Sequence, residues 1–362
     1  MVRICHLLDH DADFETARSS ESLSRAAGEG FHIQRKTIGR GGTWRDVANA
    51  AASFRRGEEQ FDIVHAWGGA ALTAAALAGK GRILFSPSPE THPRTVRWLR
   101  AVMDYRHVEV AAPTTTLRRA LVQRGVPIGQ CHLIRPGVEF GRVPRRRRDP
   151  ELRGRLGLSD NDFVLLAAGE STRAASHVEA VWAASILYVA YEKYKIVAWG
   201  RGSGRDSVIH FAKKTMPGAF RDARQRLGEQ VGFEELIPAA DMVLVTPRRP
   251  VATLPIALCM AAAMPIVSTV TSTVSELLED RHTALMITGK PRQIARRAMD
   301  LIEDPQLQWR LADMARTEAY EYFSFTRFVN QFRAVYRQMA EGAKVEVPQD
   351  APGAGLRFHG LG

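Results

Sequence analysis

Glu234-Glu235-Leu236-Ile237-Pro238-Ala239-Ala240-Asp241-Met242-Val243-Leu244-Val245-Thr246-Pro247 contains, at 242–246, an apolar run ended by a proline. An apolar pattern of helical length follows at 254–263. A second short run, Ile266-Val267-Ser268-Thr269, comes directly after Pro265. Short runs that are apolar on both faces, separated by helical segments, are the mark of buried parallel strands joined by crossover helices. Working back from this stretch, 163–168 reads as a strand ending at Gly169, 179–191 as a helix, and 195–199 as a strand ending at Gly200. Forward of it, 273–278 starts a helix, and 291–303, 307–322 and 323–339 read as helices, the last amphipathic.

The same alternation fills the first half. Strands are expected at 2–8, 31–38, 62–67, 82–86, 107–111 and 131–134. Helices are expected at 15–28, 44–54, 70–78, 94–105 and 117–124. Between the halves, Pro144-Arg145-Arg146-Arg147-Arg148-Asp149-Pro150 is a charged segment bounded by prolines and reads as a solvated linker. A chain of 362 residues is long for one core, and two α/β domains of ordinary size fit it. The expected division is 1–144, linker 145–150, 151–322, a closing helix 323–340 that packs back on the first domain, and a disordered tail 341–362 with no packing pattern.

Composition excludes several classes. A hydrophobic fraction of 45% with 8% aromatics excludes a mainly disordered chain. No apolar run reaches the ~18–20 residues of a membrane span. The N-terminus MVRICHLLDHDADFE lacks the apolar region and cleavage site of a signal peptide. Cys5, Cys131 and Cys259 form no metal-ligand spacing, and Cys5 and Cys259 lie in apolar stretches as expected of buried thiols. A reducing, cytoplasmic compartment is the expectation. The formal charge of +11 is uneven: residues 1–150 carry +9 and the remainder +2. That asymmetry suits an anionic partner: nucleic acid, an acidic membrane surface or a phosphorylated substrate. Nucleic acid is the weakest of these, because no zinc finger, aromatic RNA-binding signature or basic helix-turn-helix is present.

The order of segments resembles the family-4 retaining glycosyltransferases, which have two facing Rossmann-like domains (GT-B). Asp62-Ile63-Val64-His65-Ala66 is similar to that family's D-V-V-H-A-H strand, and Leu133-Ile134-Arg135-Pro136-Gly137-Val138-Glu139-Phe140 to its I-P-N-G-V-D segment. The stretch ending Ala239-Ala240-Asp241 resembles A-A-D-v-f-V, 260–269 resembles M-A-x-G-x-P-V-V-A-T, and Ser275-Glu276-Leu277-Leu278-Glu279-Asp280 resembles P-E-I-V-E-D. The resemblance implies transfer of a sugar from a nucleotide-sugar donor, with retention, to an acceptor the sequence does not name. It implies no cofactor and no metal: no Asp-x-Asp follows a strand of the second half. The implied donor-binding positions are Gly169, Arg173, Gly200, Gly202, Thr253, Leu254 and Glu276. Glycine turns and helix N-termini can cradle a diphosphate with backbone N–H groups.

The chain departs from the family where its chemistry sits. The family's two Glu, eight residues apart, fall at Pro250 and Leu258. Its phosphate-balancing Arg and Lys fall at Glu170 and about Ala175, and the Asp of its Gly-Asp-Gly falls at Arg201. Leucine accepts no hydroxyl hydrogen bond, and proline removes a donor. Arg173 is the expected substitute cation. His92 is near the place of a family histidine and reads as a loop residue. The glycine pair of the first loop is absent from 10–20. The expected function is therefore a glycosyltransferase-like protein, with a catalytically inactive binding or scaffold protein as the alternative. A separate expectation concerns 94–105, where Arg94, Arg97 and Arg100 accompany Trp98. Such a basic amphipathic helix suits an anionic membrane surface and peripheral attachment at the inner face of the membrane.

Overall fold

Every strand among the described residues lies in one of two parallel sheets. The computed structural model describes residues 1–39, 43–56, 60–343 and 345. They form two units. The first comprises Met1–Ala12, Thr16–Arg135 and the described residues from Thr326 onward, apart from the undescribed positions within those ranges; the second comprises Asp13–Glu15 and Pro136–Phe325.

In the first unit, strands β1 (Val2–Leu8), β2 (Phe31–Thr37), β3 (Ile63–Trp67), β4 (Arg82–Ser86), β5 (Val108–Ala112) and β6 (Cys131–Leu133) order as β2-β1-β3-β4-β5-β6. Helices α1 (Phe14–Ala26), α2 (Trp44–Arg56), α3 (Gly69–Ala78), α4 (Pro93–Met103) and α5 (Thr115–Gln123) connect them. The small-residue helix α3 buries six residues, five of them alanine. Its entry needs glycine: Gly68 has φ 117°, and a Cβ there would meet the Asp9 carboxylate at 2.3 Å. That carboxylate accepts from the amides of Ala70 and Ala71 at 3.2 and 2.7 Å, capping the helix.

In the second unit, helix α6 (Pro150–Arg155) leads to β7 (Phe163–Ala167). Then come α7 (His177–Ala190), β8 (Tyr194–Ala198), α8 (Arg205–Thr215), β9 (Phe220–Asp222), α9 (Ala223–Leu227), β10 (Met242–Val245), α10 (Leu254–Ala261), β11 (Ile266–Thr269), β12 (Leu285–Ile287), α11 (Pro291–Glu303) and α12 (Pro305–Tyr322). The sheet order β12-β11-β10-β7-β8-β9 reverses direction between β7 and β10. All eight residues of α10 are buried, as a helix apolar on every side must be. Ala263, just after it, takes a left-handed φ of 54°, at the place where the resembled motif has glycine.

The arginine run 144–150 lies inside the second unit and is not the linker expected of it; the chain passes between units at Arg135–Pro136. The reason is Asp241, whose side chain is fully buried. Its Oδ2 accepts from Arg153 Nη2 and the Val164 amide, both at 2.8 Å, and its Oδ1 accepts from Arg148 Nε at 2.8 Å. Arg146 adds an amide hydrogen bond to the Ala262 carbonyl at 2.7 Å. A buried carboxylate must be met by cations and donors, and the run supplies two of them, Arg148 and, at 3.8 Å, Arg146.

The last helix, α13 (Phe325–Glu341), belongs from Thr326 onward to the first unit. The register of β1 with β3 places His6 opposite His65. The Tyr336 hydroxyl lies 2.8 Å from His6 Nε2 and 2.7 Å from His65 Nδ1, so it donates to one ring and accepts from the other. His65 continues to Ser86 Oγ at 2.8 Å. Burial lowers both imidazoles, His6 to about 3 and His65 well below its ordinary value. The network is therefore neutral and anchors α13 to the sheet. Cys5, Cys131 and Cys259 are buried free thiols. Of the expected tail, 344 and 346–362 lie outside the described residues.

Replacing Asp241 by Ala would leave Arg153 buried without its counter-charge. We expect a loss of roughly 3–5 kcal/mol, read as a lower urea midpoint by circular dichroism. An Asp241→Ala protein as stable as the parent would refute this account of the arginine run.

Candidate functional site

In open parallel sheets, ligands bind beyond the carboxyl ends of the strands where the strand order reverses. In the second unit that place is bordered by the loops after β7, β8 and β10 and by the N-terminus of α10. All seven expected donor positions except Glu276 lie on these segments; Glu276 ends a 3-10 turn after β11.

The glycine turns are built for close backbone approach. Gly169, Gly200 and Gly202 have φ of 78°, 82° and 112°. A Cβ at Gly169 would meet Pro255 of α10 at 3.1 Å, and one at Gly202 would meet the Ser171 carbonyl oxygen at 2.6 Å. The approach serves the protein itself: the Ser171 amide donates to the Arg201 carbonyl and the Gly204 amide to the Ser171 carbonyl, both at 2.6 Å. The amides of Ser171 and Gly204 are thereby engaged in tying the two loops together.

His177, which the sequence reading passed over, secures the base of the first loop. Its Nε2–H donates to the Ala168 carbonyl at 3.0 Å, and its Nδ1 accepts from the Ser171 hydroxyl at 2.9 Å. Burial lowers its pKa to about 4, so the ring is neutral. Arg248, exposed at the start of the loop after β10, pairs with Glu179 of α7, and its amide donates to the Ala174 carbonyl at 2.8 Å.

Charge at this edge is rearranged. Glu170 and Arg201, the two positions where the resembled family has the opposite sign of charge, face one another: Arg201 Nε lies 3.0 Å from Glu170 Oε1. The Arg201 guanidinium also lies over the Trp199 ring, 5.5 Å from its centroid. Ala175 is buried, Arg173 is exposed on the same loop, and Pro250 is exposed. Leu258 is 6% exposed and packed in the apolar core, so it offers no acceptor to a ribose.

The N-terminus of α10 carries the most distinctive feature. Thr253 makes no side-chain cap to its own helix. Instead Glu15, from the three residues 13–15 that belong to this unit, places Oε2 2.5 Å from the Thr253 amide, 2.7 Å from the Leu254 amide and 3.1 Å from Thr253 Oγ1. Beside it, the Phe14 ring packs edge-on against Trp199 at 5.2 Å and Phe233 at 6.2 Å. The Phe14 amide donates to Glu170 Oε1 at 2.9 Å. Burial, with Asp13 next in size, raises the Glu15 carboxyl to about 7 against the bonds from α10. Nothing in the sequence around 15 signals this contact, because its partner is more than two hundred residues away.

On the other side of the loop after β10, a cavity of about 1100 Å³ opens at the ends of β10, β11 and β12, lined by Trp182, Ile186, Arg248, Val270 and Lys290 among others. None of the expected donor positions lines it. On α4, Val96, Leu99 and Val102 are buried, and Trp98 packs against the same core with its indole nitrogen enclosed. Trp98 is thus half-buried, with its indole nitrogen on the core side. Arg100 pairs with Asp104 at 3.5 Å. Arg94 and Arg97 remain exposed. His92 caps α4, its Nδ1 accepting from the Arg94 amide at 3.1 Å. No helix among the described residues is long and apolar enough to cross a membrane.

A pH dependence follows from Glu15. Its folded value, about 7, lies above the ordinary 4.5. The stabilisation is fully present below 4.5 and is lost as pH rises through 7. Between pH 8 and pH 5.5 this group should add about 2 kcal/mol to stability. Urea midpoints of the parent and Glu15→Gln at both pH values read it. The parent should gain more on acidification than the variant, and equal gains would remove the effect from Glu15.

Residues 148–318 match the family Glycosyl transferases group 1. The N-acetyl-alpha-D-glucosaminyl L-malate synthase of Bacillus anthracis is 23% identical over 196 residues, a match that spans 54% of this chain and 50% of that protein. Among solved structures, Anabaena HepE in complex with UDP and glucose superposes with a TM-score of 0.75 at 15% identity, covering 93% of this chain and all of the other. The sucrose-phosphate synthase of Thermosynechococcus elongatus does so with a TM-score of 0.74 at 14% identity, covering 95% and 100%. A glycosyltransferase from Rickettsia africae gives 0.75 at 13% identity, covering 94% and 99%. The second unit thus carries the match to glycosyl transferases group 1 over residues 148–318, and the chain has the GT-B fold of the solved structures it superposes on.

Proposed function

We propose that the second unit binds a nucleotide-sugar at the carboxyl edge of its sheet, with the diphosphate at the N-terminus of α10. The observation that carries this is the carboxylate already held there by two backbone amides and a hydroxyl. Helix N-termini are anion sites because their first amides lack partners and the helix dipole favours negative charge. Anabaena HepE was solved with UDP-glucose as well as with UDP, which supports the ligand class. Thr253 and Leu254 would hold phosphate oxygens, Gly169 lets α10 approach the first loop, and Arg173 is the exposed cation that would lean toward the ligand. No cofactor is needed for binding in this reading.

Transfer of the sugar with retention, to an acceptor not yet identified, is the activity the fold suggests. The geometry favours the other alternative, binding without transfer by the family's carboxylate route. Leu258 is sealed in the core, Pro250 cannot replace a carboxylate, and Glu170 is committed to Arg201. At an acidic membrane surface, α4 would contribute only Arg94 and Arg97, an electrostatic attraction of about 2 kcal/mol that salt removes.

Calorimetric titration with UDP-, GDP- and ADP-sugars tests the binding, and release of nucleoside diphosphate in the presence of candidate acceptors tests transfer. We expect saturable binding of one nucleotide class and no measurable transfer. Heat from none of the three classes would sink the binding proposal; turnover would overturn the inactive reading. A Leu258→Glu variant should not gain tight binding, since the altered positions 170, 175 and 250 remain. Tight UDP binding by that single variant would show the loss to be local.

A further inference from the structure

Helix α7 is apolar on nearly every side, and Ala180, Val181, Ala183, Ala184 and Leu187 pack into the core. Trp182 and Ile186, four residues apart and so on one face, are less enclosed: Trp182 is 50% exposed and Ile186 half-buried. Both line the cavity of about 1100 Å³ on the far side of the loop after β10. An indole in such a wall offers a flat apolar surface to whatever enters. The ring is held in place by Phe211, with centroids 6.2 Å apart and planes tilted by 53°. Val270 and Pro291 continue the apolar lining. Sites for small organic ligands are hollows of roughly 300–1,000 Å³ with mostly apolar walls and a few placed polar groups, and this cavity has room for one.

Its charge is one-sided. Three cations, Arg248, Lys290 and Arg292, and one carboxylate, Glu179, line it. Arg248 and Glu179 pair with each other and are locally neutral. Lys290 and Arg292 are exposed, and neither meets a carboxylate among the described residues. Two positive charges are thus left for an occupant. The wall's hydroxyls are partly committed: Thr269 donates to the Pro247 carbonyl at 2.8 Å, and Thr271 Oγ1 accepts from the Val274 amide at 3.3 Å. A sugar would leave several hydroxyls unpaired against the apolar walls, whereas a flat aromatic ring has none to lose. We propose that this cavity is a second ligand site, for a planar aromatic ring carrying a phosphate, with the ring on Trp182 and the phosphate against Lys290 and Arg292. A phosphate monoester carries about −1.5 to −2 at pH 7, which complements two cations. None of the seven expected donor positions lines the cavity, so the proposal does not rest on the nucleotide-sugar reading.

The test titrates naphthyl phosphate, naphthol and inorganic phosphate calorimetrically into the full-length parent and four variants: Trp182→Ala, Trp182→Phe, the double change Lys290→Gln with Arg292→Gln, and Arg173→Ala at the donor edge. All the substituted side chains are exposed, so each variant should fold, which circular dichroism checks. Naphthyl phosphate should bind the parent saturably. Naphthol and phosphate, each lacking half of the recognition, should bind about tenfold or more weakly. Trp182→Ala should weaken naphthyl phosphate about tenfold, and Trp182→Phe should weaken it less because a ring face remains. The double glutamine variant should also lose about tenfold, together with most of the dependence on salt. Arg173→Ala should bind as the parent does. Absence of saturable binding would overturn the proposal. So would naphthyl phosphate binding that neither Trp182→Ala nor the double variant weakens. Loss of binding in Arg173→Ala with full retention in Trp182→Ala would move the ligand to the donor edge and remove the second site. Retained naphthyl phosphate binding by a chain that takes no nucleotide-sugar would keep this site and remove the donor reading alone.

Discussion

The amides at the start of α10 must have an acceptor, and the arrangement at the second unit's sheet edge follows from that constraint. The helix is apolar throughout and cannot turn its end toward water without exposing its core face. Glu15 supplies the acceptor, but a carboxylate held there is desolvated, which is why it binds protons more readily than an exposed glutamate. Its neighbour Phe14 contributes apolar burial with Trp199 and Phe233, offsetting part of that desolvation. The close passage of Gly169 past Pro255 keeps the first loop against the same helix.

Charge compensation explains the departures at 170 and 201. Taken singly, a glutamate where the family carries a phosphate-binding arginine is a loss of function. Taken as a pair, Glu170 and Arg201 satisfy each other, and Glu170 also receives the Phe14 amide. Two side chains of opposite sign to those of the resembled family thus meet each other, and the pair is locally neutral. That is the physical content of the likeness to glycosyl transferases group 1 combined with the absence of that family's charged residues.

Each sheet has a buried polar centre that ties distant segments to it. In the second unit it is Asp241, which gathers Arg148, Arg153 and the Val164 amide. In the first it is the Tyr336 hydroxyl between His6 and His65. The two solve the same problem differently. A buried carboxylate needs cations, whereas two imidazoles made neutral by burial need one group that both donates and accepts.

Periodicity in the sequence determined most of the fold, because a buried parallel strand must be apolar on both faces and its crossover helix must be long enough to return. The runs at 242–246 and 266–269, the segment with Asp241 and the His65 strand were therefore legible, as were the empty carboxylate places at Pro250 and Leu258. Tertiary structure alone decided the rest. A run of four arginines looks solvated until a buried aspartate is found beside it. Trp98 looks fully exposed until its ring proves to pack partly against the core. Glu15 and Thr253 are 238 residues apart, and a contact between two side chains at that separation leaves no local pattern. Only the packing of a buried helix end, which must find its acceptor wherever the chain can supply one, brings them together.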